Sequence, residues 1–87
     1  MALYKHSLEF ENAKLTQERI NQITMESITD REFEILQDIL SGQNNAQISS
    51  SRQISMSTVK FHISNLFQKM EVKNRADALH KIIKMLT

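Results

Sequence analysis

The sequence predicts an all-α fold, and three observations support this prediction. The 87 residues include no proline and a single glycine, whereas sheets and hairpins normally need more turn residues. Helix-start signals recur along the chain, and the clearest is a capping box formed by Thr29 and Glu32. Residues 55–70 have a helical hydrophobic period that separates an apolar face from a polar one. We expect one small domain with an N-terminal extension.

The composition argues against several classes of function. Without cysteine, the chain can form neither a disulfide framework nor a thiolate metal site. Its histidines, His6, His62 and His80, are too dispersed to suggest a ligand cluster, and no phosphate loop or nucleophile motif is visible. We therefore expect no enzyme, metal, cofactor or small-molecule site. No signal peptide or membrane-length apolar run is seen, so we expect a cytoplasmic protein without membrane contact.

Charge is unevenly distributed, although the formal net charge is only +1. Residues 52–87 hold seven of the 11 Lys and Arg residues but only two of the 10 Asp and Glu residues. This basic half includes the whole of the two-faced segment 55–70. Such asymmetry suits a polyanionic partner, although an ordinary solvated basic surface has the same composition.

Residues 1–27 are predicted to form a helical linker or arm. They have high helix propensity and alternating charge, and Leu3, Phe10, Ala13 and Ile20 fit one heptad register. We expect this helix to contact a second copy of the chain or an upstream segment. The alternatives are a helix folded back onto the domain and a frayed arm.

Two helices are predicted ahead of the two-faced segment. The Thr29 capping box opens a helix that runs to about residue 40, and Gly42 supplies a left-handed stop. One of the two asparagines that follow caps a short helix over residues 46–51, anchored by Ile48. Its three serines have low helix propensity, so tertiary contacts must stabilise this helix.

The two-faced helix begins at a Ser55 cap. Its apolar arc, predicted to pack on the core, comprises Val59, Ile63, Leu66 and Met70, with Phe67 on the flank. The opposite face bears hydroxyls, amides, flanking lysines and an exposed phenylalanine. A helix in a DNA major groove needs this mixture, because Lys binds phosphates or guanine edges, Asn and Ser bind base edges, and Phe contacts a thymine methyl. An ordinary amphipathic surface helix is the alternative.

A last helix is predicted from Arg75 to about Met85, capped by Asn74. Its large apolar residues cannot all point the same way, so we expect a wide core stripe, with contact to a partner chain as the alternative.

The order of these signals resembles the LuxR/FixJ/NarL-type helix-turn-helix domain of bacterial transcription factors. The match spans residues 28–86 and is specific, because a Thr-Val-Lys-x-His run at 58–62 is followed by Val-x-Asn-Arg at 72–75. The resemblance implies a four-helix DNA-binding domain over residues 28–87, preceded by the arm at 1–27. It implies insertion of helix 56–70 into the major groove of double-stranded DNA, commonly as a homodimer, in a cytoplasmic regulator that is nucleoid-associated when bound.

Site residues follow from the helix faces and from the resemblance together. The predicted base-reading residues are Lys60, Phe61, Ser64 and Asn65. The predicted phosphate contacts are Asn45, Ser57, Thr58, Lys69 and Lys73. Glu32 lies on the same side of its helix as the apolar stripe, so its carboxylate should need a partner beyond its capping role. Arg75 is predicted to form this structural pair, and a solvated capping Glu at the rim is the alternative. His62 is predicted to be either a packed imidazole or a backbone contact.

The chain departs from the family pattern at four positions. Ser49 replaces a usual alanine. Asp38 and Arg52 stand where the family favours apolar residues, so we expect looser packing of the short helix unless it is short and its last turn points outward. Several family members have Lys or Arg in place of Ser64, which leaves the target sequence open.

Two further alternatives concern the whole protein. Full-length relatives usually have a receiver or sensor module, and residues 1–27 are too few to form one. We therefore expect either a stand-alone regulator or the C-terminal part of a longer protein such as a response regulator. The competing function is a protein-interaction module that keeps the fold but binds another regulator instead of DNA.

Overall fold

The described part of the chain is helical throughout. A computed structural model describes residues 16–22, 24 and 27–87, and these residues form five helices and no strand. The helices are α1 (Gln17–Asn21), α2 (Asp30–Leu40), α3 (Asn45–Arg52), α4 (Met56–Met70) and α5 (Arg75–Leu86). The all-α prediction is confirmed, and all four helices predicted within residues 28–87 are present.

The four helices of residues 28–87 begin where local capping signals predicted. The Thr29 hydroxyl accepts from the Glu32 N–H at 3.0 Å, and the Glu32 carboxylate accepts from the Thr29 N–H at 2.9 Å. Asn44 is the cap of α3 and forms a second capping box with Gln47, with both distances 2.8 Å. The remaining caps are Thr16, Ser55 and Asn74. Each such cap stabilises its helix by roughly 1 kcal/mol, because it satisfies an N–H that has no partner within the helix.

Three helices end with a left-handed residue. The φ angles are 89° at Gly42, 56° at Gln53 and 57° at Glu71. After α3, the Ile54 N–H bonds back to the Ser49 carbonyl at 3.1 Å, the reversal that a left-handed residue permits. Only the first of these ends was predicted, since glutamine and glutamate give no sequence signal for a positive φ.

The core lies where α4 packs against α2 and α3, and α5 contributes two buried residues to it. Its buried members within the four main helices are Ile35, Leu36, Ile39, Ile48, Val59, Leu66, Met70, Ala78 and Ile82. The predicted anchor Ile48 and the predicted apolar arc of α4 are confirmed, with Ile63 and Phe67 only partly buried at the edge of the core. The register of α4 is thereby fixed by packing, and its opposite face is directed away from the core.

The segment before residue 28 joins the same packed unit. Ile20 of α1 is fully buried in the core cluster. The Gln17 amide donates to the Ile28 carbonyl at 2.8 Å, and the Asn21 amide oxygen accepts from the Ile28 N–H at 2.9 Å. The described part of the predicted arm is therefore folded back onto the domain, which was the alternative interpretation. The other heptad positions, Leu3, Phe10 and Ala13, lie outside the described residues, and the arm's contact with a second chain stays a prediction.

Candidate nucleic-acid interface

The face of α4 opposite the core is solvent-facing. We define this outer face as Ser57, Lys60, Phe61, Ser64, Asn65 and Gln68. All six are exposed except Asn65, which is half-buried. The side chains of Lys60, Ser64 and Asn65 form no hydrogen bond or ion pair within the described residues. Their donors and acceptors are therefore available to a partner molecule.

An apolar ring lies at the centre of the outer face. The Phe61 side chain is 62% exposed. Its ring meets the half-buried His62 imidazole in an edge-to-face arrangement, with centroids 5.6 Å apart and an interplanar angle of 63°. His62 thus supports the Phe61 ring, as a packed imidazole would.

Hydroxyl groups cluster at the N-terminal turn of α4. The Ser55 oxygen accepts from the Thr58 N–H at 3.1 Å, and it lies 3.0 Å from the Ser57 hydroxyl and 2.8 Å from the Thr58 hydroxyl. This turn also has the positive end of the helix dipole. Hydroxyl donors at a helix N-terminus favour an anionic oxygen, so the predicted phosphate roles of Ser57 and Thr58 are chemically consistent with their surroundings.

Lys69 requires a correction. Its ammonium lies 2.8 Å from the Glu32 carboxylate and 3.2 Å from the Ser27 carbonyl, and the lysine side chain is only 17% exposed. It therefore ties α4 to the start of α2 instead of projecting toward a phosphate. Burial by itself raises the pKa of Glu32, but the hydrogen bond and charge of Lys69, together with the Thr29 N–H, outweigh it and lower that pKa.

The predicted pair of Glu32 with Arg75 is wrong. Arg75 instead donates to the Gln43 carbonyl at 2.8 Å and to the Asn45 amide oxygen at 2.9 Å. It joins α5 to the connection between α2 and α3, so a structural role remains, with different partners. The Asn45 NH₂ group has no partner within the described residues, which leaves it available for the predicted phosphate contact.

Most of the basic charge of residues 52–87 is committed to internal contacts. Arg52 pairs with Asp38, Lys69 pairs with Glu32, and Lys81 donates to the Met70 carbonyl at 2.6 Å. With Arg75 bound as described, the Lys and Arg residues of this half whose side chains have no hydrogen-bond or ion-pair partner within the described residues are Lys60, Lys73 and Lys84. The charge asymmetry of the sequence thus serves mainly to join the helices.

The residues around α3 that depart from the family pattern form hydrogen bonds with each other or with the turn that follows the helix. Arg52 and Asp38 form a two-point ion pair, and the Ser49 hydroxyl donates to the Ile54 carbonyl, which closes the turn between α3 and α4. The pairing of Arg52 with Asp38 was not predicted. The short α3 accommodates Arg52 in its last turn, which was the alternative to looser packing, and Ile48 of the same helix is fully buried.

The described residues give no support to some other classes of site. No group of three or more His, Cys, Asp or Glu side chains is arranged there to hold a metal ion. Separately, none of the helices in the described ranges combines the length and apolar character that crossing a membrane requires.

Known proteins with similar sequences agree with this architecture. Residues 26–82 match the family described as bacterial regulatory proteins, luxR family. The chain is 43% identical over 60 residues to the probable transcriptional regulatory protein SgaR of Hyphomicrobium methylovorum, which covers 69% of this chain and 28% of SgaR. It is 44% identical over 54 residues to the response regulator protein VraR of Staphylococcus aureus (strain Mu3) and of Staphylococcus epidermidis, which covers 62% of this chain and 26% of VraR.

The chain thus spans little more than a quarter of the length of these relatives. The matched region contains α2, α3 and α4 entirely and most of α5. The resemblance inferred from the sequence is confirmed, and the chain belongs to the luxR family of bacterial regulatory proteins.

Proposed function

We propose that the chain is the DNA-binding part of a transcription regulator, and that it places the outer face of α4 in the major groove. The observation that carries the proposal is the set of unpartnered groups on this face. Lys60, Ser64 and Asn65 have free hydrogen-bonding groups beside the exposed Phe61 ring. They lie in the N-terminal two-thirds of α4, the part of a recognition helix that contacts base edges.

The scaffold supports the same proposal by holding α4 in one orientation. Val59, Leu66 and Met70 are fully buried, and the Lys69–Glu32 ion pair ties the far end of the helix to α2. Reading a base requires side chains to be positioned within a fraction of an ångström, which a packed helix achieves better than a loop.

Phosphate contacts on either side of α4 complete the proposed docking. Ser57 and Thr58 would bind one phosphate at the N-terminal turn of α4. The Asn45 amide, at the start of α3, and the exposed Lys73, after α4, would bind others. Such contacts set the register of a protein on DNA without reading its sequence.

Homodimer formation is part of the proposal. One recognition helix reads only a few base pairs, whereas two copies on half-sites about one helical turn apart read enough to be selective. Residues 1–27 are the segment we assign to contact with a second copy or with an upstream module. We place the complex in the bacterial cytoplasm, associated with the nucleoid.

A protein-interaction module is the second candidate. This candidate is favoured by the exposed Phe61 ring and by the small number of unpaired Lys and Arg side chains among the described residues. Binding to a protein partner through an apolar ring would survive high salt, whereas a phosphate-dominated DNA complex would weaken. Salt sensitivity therefore separates the two candidates.

The test is a selection of random duplex DNA on the folded protein, followed by titration of the recovered duplex. We expect Lys60→Ala to weaken specific binding about tenfold or more, while circular dichroism stays unchanged. Lys84→Ala, which removes the same charge from α5, is the matched control and should bind like the unmodified protein. If the folded protein recovers no motif at low salt, even when fused to a dimerising domain, the proposal is refuted.

A further inference from the structure

We infer that the half-site read by α4 is rich in A·T pairs, with Phe61 lying against thymine methyl groups and at most one guanine contacted per helix. This inference rests on the proposed function and narrows it to a class of DNA sequence. It follows from the chemistry of the side chains that α4 leaves free.

The supply of cations on α4 limits how many guanines it can read. In the major groove, guanine offers two acceptors, N7 and O6, which Arg or Lys side chains typically contact. The cations of α4 are Lys60 and Lys69, and the Lys69 ammonium is held by Glu32 at 2.8 Å. Lys60 alone remains for a guanine. A G·C-rich half-site would thus leave most of its guanine edges without a strong donor.

Phe61 adds a positive preference for thymine. Its ring has no donor or acceptor, and thymine is the base that presents a methyl group in the major groove. Against a G·C pair, the ring would cover the guanine acceptors or the cytosine amino group without replacing their hydrogen bonds to water, which is unfavourable. The neighbouring His62 ring lies edge-to-face with Phe61 and occupies one side of it. The remaining exposed surface of the phenyl ring is what the DNA would meet.

The other free groups of the outer face favour adenine or are indifferent. The Asn65 side-chain amide has no partner within the described residues. An amide of this kind pairs with both N6 and N7 of adenine, with one donor and one acceptor. Ser64 presents a short hydroxyl, which accepts from or donates to either kind of pair. Within residues 60–65, the face thus offers one group for thymine, one for adenine and one for guanine.

The experiment removes thymine methyl groups one at a time. The duplex recovered by selection is resynthesised with a single deoxyuridine in place of each thymine in turn, which deletes the C5-methyl and preserves base pairing. We expect an A·T-rich motif in which at least one such change weakens binding of the unmodified protein by about fourfold, the loss associated with one buried methyl. Phe61→Ala should bind the duplex without deoxyuridine more weakly than the unmodified protein does. Replacing that thymine by deoxyuridine should no longer change its affinity.

The control variant is Lys84→Ala, which should keep the full response to deoxyuridine. A recovered motif rich in G·C pairs would overturn the inference while leaving DNA binding intact. So would an A·T-rich motif whose response to deoxyuridine is the same with and without the Phe61 ring. If the folded protein binds no duplex at low salt, the proposed function itself fails, and this inference fails with it.

Discussion

Arg52 donates two parallel hydrogen bonds to the Asp38 carboxylate, from Nε to Oδ2 and from Nη2 to Oδ1, each 2.9 Å long. Asp38 is 9% exposed at its side chain and Arg52 is 30% exposed, so the contact is largely shielded from water. The hydrogen bond to Asp38 raises the pKa of Arg52. Two departures from the family pattern therefore compensate each other, one on α2 and one on α3.

This pairing predicts coupled effects on stability. Arg52→Gln leaves a buried carboxylate without its cation, and we expect the free energy of unfolding to fall by about 2 kcal/mol. This loss is smaller than for a fully buried pair because the arginine is partly exposed. The double change Arg52→Leu with Asp38→Leu restores an apolar contact, and its stability should fall within about 1 kcal/mol of the unmodified protein. Urea denaturation measures these variants and the single changes Arg52→Leu and Asp38→Leu. If the loss in the double variant equalled the sum of the two single losses, the two residues would not act as a pair.

Glu32 predicts a pH dependence of stability. Its pKa is lowered in the folded protein from the ordinary value of 4.5, so it stabilises the fold above that pH. This contribution is lost as the pH falls through the folded pKa, because protonation removes the attraction to Lys69. We expect Glu32→Gln to cost about 2 kcal/mol at pH 7, since a buried charged hydrogen bond is removed.

The difference between the Glu32→Gln variant and the unmodified protein should shrink as the pH drops below about 4.5. Thermal unfolding at several pH values measures this difference in stability. Lys69→Met keeps the side-chain volume but removes the charge, so the stability of that variant should depend less on pH over the same range. A Glu32→Gln penalty that is equal at pH 7 and pH 3 would contradict the ion-pair account.

The burial of Ile20 predicts that α1 is part of the stable domain. Ile20→Ala should lower the free energy of unfolding by about 3 kcal/mol, because it opens a cavity in the core. Ile83→Ala is the matched control, since Ile83 is 58% exposed and its loss should cost less than about 0.5 kcal/mol. If Ile20→Ala behaves like the control, then α1 does not contribute to the core in solution. A large loss from Ile83→Ala would instead reveal a contact made by α5.

Few Lys and Arg side chains of the described residues are unpaired, and this predicts a shallow salt dependence of DNA binding. Each phosphate neutralised contributes a slope of about −0.9 to log K against log salt. With Lys73 at a phosphate and Lys60 displacing at most one further counterion from the groove, we expect a slope no steeper than about −2 for each copy of the chain. Fluorescence titrations at several salt concentrations measure it. A slope near −6 would mean that Lys69, Lys81 and the arginines exchange their internal partners for phosphates.

The sequence was most informative where a structural signal is local. The caps at Thr29, Ser55 and Asn74 were predictable because each depends on a few neighbouring residues. The apolar arc of α4 was predictable because helical geometry fixes which residues share a face. By contrast, the left-handed ends at Gln53 and Glu71 follow from how the helices meet, and neither residue type indicates such an end.

Pairings between distant charges were less predictable. Glu32 was identified as a buried carboxylate in need of a cation, but the basic half of the chain offers several, and the actual partner lies 37 residues away. A signal did exist, because Lys69 borders the apolar arc of α4 on the helical wheel. Asp38 and Arg52 each depart from the family pattern, and their opposite charges are the sequence signal that indicates a pair.

The proposed contact between the outer face of α4 and DNA can be tested residue by residue. The most direct measurement is a titration of ¹⁵N-labelled protein with the selected duplex, following the backbone amide signals of each residue. We expect the largest changes at residues 57–65, with further changes near Asn45 and Lys73 and small ones along the buried side of α2. Changes confined to α1 or α5, with α4 unaffected, would contradict the claim.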